Sequence, residues 1–268
     1  MLMMQISRMS AAARLPVLVA HVLAGLWQVR FDLPTMSVAR RQATVSRWSR
    51  RLLAIIGVRV RLSGPVAVAD AGYLIASNHV SWVDIFALLG QMPLTFVAKS
   101  EIRGWPLIGP LAAGVGTLFI ERGRSRHARA TNERIAALIQ AGGVVSVFPE
   151  GTTTLGDRLL PFHAALFQPV VDACSAVQPV ALLYRDASGK PTTIPAYVDD
   201  MSLVASVWRI LRMGHVEVEL RRVEPIATAG LGRREVSLAT EQAIARALSV
   251  PPPHRERRTA PGLPVASQ

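Results

Sequence analysis

His79 and Asp84 stand in the stretch NHVSWVD (Asn78–Asp84), with four residues between them. A histidine whose ring is held by a carboxylate can act as a general base: the acid accepts from one ring nitrogen and the other faces a reactant. Such a base could take the proton from a substrate hydroxyl and let that oxygen attack an electrophilic carbonyl. The same spacing also suits a plain loop histidine followed by an acid in the first turn of a helix, where the helix dipole favours it. Ser81 lies between the pair, but no G-x-S-x-G elbow occurs in the chain, so helix capping is its expected task.

Two further clusters carry suitable chemistry. Arg122 closes GTLFIER and is followed by Gly123 and Arg124; an arginine there can grip a phosphate or carboxylate with two hydrogen bonds. FPEGTT (Phe148–Thr153) offers the Glu150 carboxylate, read as pointing into a pocket mouth toward a substrate hydroxyl or ammonium. The N–H groups of Gly151 and Thr152 are read as donors to a developing oxyanion. His163, in LLPFHAALF, is expected to shape a pocket wall or cap a helix. None of the other histidines has metal-ligand spacing to a His, Cys or acid, so no metal and no cofactor are expected. Cys174, the one cysteine, is read as a buried residue of an apolar helix-like stretch; a single cysteine excludes an intramolecular disulfide.

These clusters need a frame. From residue 57 the apolar pattern alternates between short β-branched runs (VRVRLSG, YLIAS, LTFVAK, TLFIER, VVSVFPE, VQPVALLYRD, HVEVELRRV) and helical stretches (SWVDIFALLGQ, WPLIGPLAAGVG, SRHARATNERIAALIQAGG, HAALFQPVVDAC, SLVASVWRILRM, REVSLATEQAIARAL). That order predicts an α/β fold with a largely parallel central sheet flanked by helices. NHVSWVD, ERGRSR and PEGTT each begin where a strand runs out, the edge at which open parallel sheets collect ligands. Residues 57–249 are read as one domain. The Pro-rich segment 250–268 is expected to be disordered.

Residues 1–56 differ in character. The net charge is +12, and residues 1–62 hold ten arginines against one acid, Asp32. LPVLVAHVLAGLW (Leu15–Trp27) is apolar but short of the roughly twenty residues a span needs. A second stretch, SRWSRRLLAIIGV, repeats the basic-apolar theme, with Trp48 expected at headgroup level. A membrane-associating helical pair lying in the interface of an anionic membrane is the expectation. Nucleic acid is not expected as a partner, since no recognition motif or interleaved aromatics accompany the charge.

Taken in order, NHVSWVD, FVAKSEIRGWPLIG, GTLFIER, VFPEGTT and VQPVAL resemble the blocks of the glycerolipid acyltransferase family, over roughly residues 72–184. The resemblance implies that His79 and Asp84 are the family's base and orienting acid. It ties Lys99 and Arg122 to the acceptor's phosphate, Glu150, Gly151 and Thr152 to acceptor binding, and Pro179 to the acyl-chain side. It also implies a donor thioester on coenzyme A or acyl carrier protein, an N-terminal two-helix element dipping into one leaflet, and the cytoplasmic face of the inner membrane.

One departure stands out. Thr153 occupies a position where many family members carry arginine, and no cation follows before Arg158. The expected acceptor is lysophosphatidic acid, with a lyso-ornithine lipid as the alternative that the lost charge favours. Two other classes compete: a non-catalytic, lipid-binding membrane protein on the same fold, and a lipid hydrolase. The missing nucleophile elbow counts against the hydrolase.

Overall fold

A computed structural model describes residues 10–65, 71–120 and 125–253. Arg122 and its neighbours 121–124, and the tail from 254 onward, lie outside those residues. The chain opens with α1 (Ala11–Trp27), which continues without a break through a π-turn (Gln28–Asp32) and a 3₁₀ turn (Leu33–Thr35). Ser37 caps α2 (Val38–Ile56), and Gly57, at φ 82°, ends it in the left-handed conformation that glycine accepts without strain.

The sheet strands are β1 (Val58–Ser63), β2 (Tyr73–Ser77), β3 (Thr95–Lys99), β4 (Leu118–Ile120), β5 (Val144–Val147), β6 (Ala176–Asp186), β7 (Val216–Arg222) and the short β8 (Ile226–Ala227). Between them lie α3 (Val83–Gln91), α4 (Ile108–Gly114), α5 (Ser125–Gln140), α6 (Gln168–Asp172) and α7 (Leu203–Met213), with α8 (Arg233–Leu248) last. The sheet order is β1-β7-β6-β2-β5-β3-β4, with β8 on the flank of β6. The pairs β1–β7, β6–β2, β2–β5, β5–β3 and β3–β4 are parallel; β6–β7 and β6–β8 are antiparallel. The expected largely parallel sheet is therefore present, with an antiparallel seam at β6–β7.

Alternation along the strands splits the core into two layers. Ile75 of β2 and Val180 and Leu182 of β6 face one side, with Leu53 and Ile56 of α2, Val83 and Leu88 of α3, and Ile210 and Leu211 of α7. Leu74 and Ala76, with Val177 and Ala181, face the other, against Ile135 and Ile139 of α5 and Val236 and Ile244 of α8.

The N-terminal region departs from expectation in two ways. No glycine or proline stops the helix at Trp27, so Ala11–Thr35 forms 25 helical residues, an 18-residue window of which has mean hydropathy 1.4, long and apolar enough by length and composition to cross a membrane. Trp48 is not at a surface ring. Its indole stacks on His21 at 4.7 Å, donates to the His21 carbonyl at 3.2 Å, and lines an internal cavity. A Cβ at Gly25 would lie 2.6 Å from that indole, so only glycine lets α1 approach so closely.

Two sequence readings elsewhere are corrected. HAALFQPVVDAC is a 3₁₀ turn (Ala164–Phe167) followed by α6, with Pro169 at the start of the helix. His163 occupies the capping position of the 3₁₀ turn without a side-chain bond, and it is exposed. Cys174 is likewise exposed, in a turn at φ 50° beyond the helix, because the helix ends at Asp172 and the chain must reverse into β6.

Candidate active site

β2 runs out at Ser77, and the next residue extends the ladder with its side chain. Asn78 donates from Nδ2 to the Leu182 carbonyl at 3.1 Å and accepts from the Leu182 N–H at 2.8 Å. The loop that follows is therefore pinned to β6 before it turns. His79 emerges at the carboxyl end of a central parallel strand, and its Nδ1 lies 2.8 Å from Asp84 Oδ2.

Asp84 is fully buried in the first turn of α3. Its Oδ2 also accepts from the N–H groups of Val80 (2.8 Å) and Ser81 (2.9 Å). Its Oδ1 accepts from the hydroxyl of Tyr184 on β6. An ionised carboxylate in an apolar layer is tolerated only when its lone pairs are occupied in this way. Burial, then the Asp84 charge, push the Tyr184 phenol well above its ordinary value, so it remains a donor.

The imidazole is fixed from two more directions. Its ring stacks on Phe148 at 3.8 Å and 8°, and Phe148 stacks in turn on Phe96. Its backbone N–H donates to Glu150 Oε1 at 2.8 Å. With Nδ1–H directed at Asp84, Nε2 carries the lone pair, and His79 borders the cavity.

Glu150 departs from its expected placement. It is buried, and its second oxygen accepts from the Leu160 N–H at 2.9 Å. It therefore acts on the backbone of the His79 loop, and it is not among the residues lining the cavity. Burial raises its carboxyl to about 7, against the opposing pull of the two N–H bonds from Leu160 and His79. Gly151, at φ 71°, gives its N–H to the Phe148 carbonyl at 3.0 Å, which removes it as an oxyanion donor. Thr152 does line the cavity. Ser81 sits one residue ahead of the helical cap, Trp82, and its buried Oγ accepts from the Val83 N–H at 3.3 Å.

The loops that follow β2, β5 and β6 are stitched together. Thr154 N–H donates to the His79 carbonyl at 2.8 Å, Tyr197 N–H to the Val80 carbonyl at 2.9 Å, and the Thr153 hydroxyl to the Tyr197 carbonyl. Thr153 is thus a tether between loops. Arg158, five residues on, lines the cavity. Lys99, at the end of β3, lines it too, as do the acids Glu101 and Asp199. β4 ends at Ile120, and Arg122 itself is outside the described residues.

The cavity measures about 930 Å³. Its lining includes His79, the apolar side chains of Trp48, Phe86, Phe96 and Leu111, and Val29 and Leu33 of the N-terminal segment. Among the described residues no three His, Cys, Asp or Glu side chains gather as a metal site would require.

Tyr184, Asn78 and Phe148 were not singled out in the sequence. A tyrosine inside a buried strand needs a partner for its hydroxyl, and that was the one signal available for Tyr184.

Comparison with known proteins gives a consistent picture. The family model described as Acyltransferase matches residues 59–183. The chain is 39% identical over 240 residues to a lyso-ornithine lipid O-acyltransferase of Pseudomonas aeruginosa, covering 89% of this chain and 92% of that one. It is 38% identical over 204 residues to a 1-acyl-sn-glycerol-3-phosphate acyltransferase of Neisseria meningitidis, covering 76% and 78%. The crystal structure of the 1-acyl-sn-glycerophosphate acyltransferase PlsC from Thermotoga maritima shares the fold, with TM-score 0.60 at 19% identity over 88% of this chain and 96% of that one.

Proposed function

The chain belongs to the acyltransferase family, and from that premise we propose that it is a membrane-associated O-acyltransferase, moving a fatty acyl group from an acyl thioester to the hydroxyl of a lysolipid. The observation that carries this reading is the His79–Asp84 pair, 2.8 Å apart, at a largely apolar cavity of about 930 Å³.

Nε2 of His79 takes the proton as the acceptor hydroxyl attacks the thioester carbonyl. Asp84 holds the ring and stabilises the imidazolium that forms. The tetrahedral oxyanion meets backbone N–H donors, for which Thr152 is the candidate. When the carbonyl re-forms, the C–S bond breaks and the imidazolium returns its proton to the departing thiolate. No acyl-enzyme is involved. Ser81 is buried with its Oγ engaged, and Cys174 precedes β6, at the amino-terminal end of the parallel strands, whereas His79 follows the carboxyl end of neighbouring β2. The apolar side chains of the cavity lining receive the acyl chain of the donor, carried on coenzyme A or acyl carrier protein.

Lys99 and Arg158, both at the cavity, suit a phosphate, as does Arg122 by its residue type in the family block, which makes lysophosphatidic acid the first acceptor. A lyso-ornithine lipid is the second reading. Glu101 and Asp199 at the same cavity could pair with its ammonium while the cations take its carboxylate. The outward residues Leu15, Val19, Leu23, Trp27 and Phe31, 40–62% exposed, put an apolar stripe on α1 and its continuation. The opposite side of α1 is tied to the domain through buried Arg14, which donates to the carbonyls of Ile55 and Leu211. This favours a helix lying in the interface, and the inner membrane's cytoplasmic face is taken from the family resemblance.

Thiol release from palmitoyl-coenzyme A, with lysophosphatidic acid, lyso-ornithine lipid or no acceptor, tests the reading. Acceptor-dependent release lost in His79→Ala is expected. Acceptor-independent release of free fatty acid would instead make the protein a hydrolase.

A further inference from the structure

We propose that α7 is a second membrane-contact element, remote in sequence from the N-terminal helices, and that it holds the His79 loop at a fixed height over the bilayer. The inference rests on reading the protein as an enzyme that works on membrane lipid.

α7 (LVASVWRILRM) contains two arginines, Arg209 and Arg212, and no acid. Its inward face is Ser206, Ile210 and Leu211. Its outward line is Val204, 79% exposed, then Trp208, 41% exposed, then exposed Arg212, each four residues from the last. A lone exposed apolar side chain means little. The weight lies in continuity. α7 packs against α1, and the Arg14 guanidinium joins them by donating to the Leu211 carbonyl. The outward stripe of α1 thus has a second stripe on the adjoining helix. Both helices also border the same cavity, through Leu203 on one side and Gly25 on the other.

The occupant that fits is a bilayer with anionic headgroups. A tryptophan suits headgroup depth, and arginine can bury its stem while its guanidinium reaches phosphate. A second copy of this chain fits poorly, because it would bring Arg209 and Arg212 against a surface of a molecule with net charge +12. Asp199 and Asp200 precede the helix, and Asp199 belongs to the cavity.

The inward face makes the connection to chemistry. Ser206 Oγ accepts from Trp82 Nε1 at 3.0 Å. Trp82 lies between His79 and Asp84 in the chain and lines the cavity. A helix resting on the membrane is therefore bonded to the loop that carries the base.

The test uses the full chain with Cys174→Ala and one introduced cysteine bearing an environment-sensitive fluorophore. Labels go at Val204, at Leu23 on α1, and at Leu238, an exposed leucine of α8 on the other layer. On adding vesicles of phosphatidylethanolamine and phosphatidylglycerol, emission at 204 and 23 should shift to the blue while that at 238 stays put. A shift at 23 without one at 204 overturns the role of α7 and leaves the membrane reading standing. No shift at either overturns both. A shift at 204 that needs only higher protein concentration, without vesicles, assigns the face to a second copy and also overturns it.

Val204→Asp gives the functional arm. It should lower turnover of a vesicle-borne acceptor on the order of tenfold, with turnover of short-chain, water-soluble substrates unchanged. Equal loss in both formats would mean a structural lesion and overturn the proposal.

Discussion

The loop that carries His79 and the face formed by α1 and α7 solve opposite problems. Around His79, direction is imposed by hydrogen bonds. Asp84 accepts from the His79 ring, two backbone N–H groups and Tyr184, and Glu150 accepts from two more N–H groups. On the helical face, the exposed residues are large and apolar and direction is left to the surroundings. A general base must be held to within a fraction of an ångström of its reactant. A surface that receives a fluid lipid needs area and charge, and gains nothing from a fixed partner. The comparison implies that single-atom changes should be costly in the first region and nearly silent in the second.

His79→Ala should have the largest effect, slowing thiol release about a hundred- to ten-thousand-fold, with a stability loss of about 1–3 kcal/mol because the buried Asp84 loses one of its donors. Turnover within a few-fold of the parent would remove His79 from the chemistry and break the comparison at its strongest point. Tyr184→Phe comes next and removes one oxygen. It leaves Asp84 Oδ1 without its buried donor, which should destabilise the fold by about 1–3 kcal/mol. Turnover should fall about tenfold, as the Asp84–His79 contact loosens. The check is denaturant unfolding beside single-turnover kinetics, and unchanged values in both would make the hydroxyl dispensable.

Glu150→Gln sharpens the comparison because its effect depends on pH. Between the ordinary carboxylate value of 4.5 and about 7, the folded protein keeps a proton that the unfolded chain has released. This group therefore erodes stability as pH rises through that window. The erosion is absent in the glutamine variant, so its melting temperature relative to the parent should climb between pH 5 and pH 8. A difference that stays flat with pH would mean that Glu150 is not the buried titrating group described. Turnover should still fall at every pH, because a glutamine offers one acceptor where His79 N–H and Leu160 N–H need two.

Much of this was legible in the sequence, for reasons that differ by residue. The parallel α/β order follows from periodicity, while the spacing of His79 and Asp84 at a strand end leaves a plain loop pair open and only the resemblance implies a base and its orienting acid. Both depend on neighbours in the chain. What escaped depended on residues far apart. Tyr184 reaches Asp84 across a hundred positions, and the Asn78–Leu182 bonds span a similar distance. Glu150 was read as a ligand for substrate because its strand end was visible and the inward turn of its carboxylate was not. At Thr153 the sequence shows a cation absent, and only the fold shows that its hydroxyl donates to the Tyr197 carbonyl and that Arg158 lines the same cavity. The apolar run Leu15–Trp27 looks short of a span for the opposite reason: no stop signal follows it before Pro34, and the helix continues through a π-turn.

The smallest effect expected is on the apolar face, and it tests the comparison from its weak side. Val19→Ser changes a residue 51% exposed, with no hydrogen bond or core contact to lose. Stability should move by no more than about 0.5 kcal/mol, as for other surface substitutions away from special features. Vesicle binding should weaken only a few-fold, because the removed apolar area is one fraction of a stripe that runs from Leu15 to Phe31. Flotation with vesicles, read beside the melting curve, separates the two quantities. If Val19→Ser instead matched Tyr184→Phe in lost turnover on soluble substrates, the stripe would be acting by specific contact. α1 would then have to be counted among the elements that position the reacting groups, through the wall it gives the cavity at Gly25 and Val29.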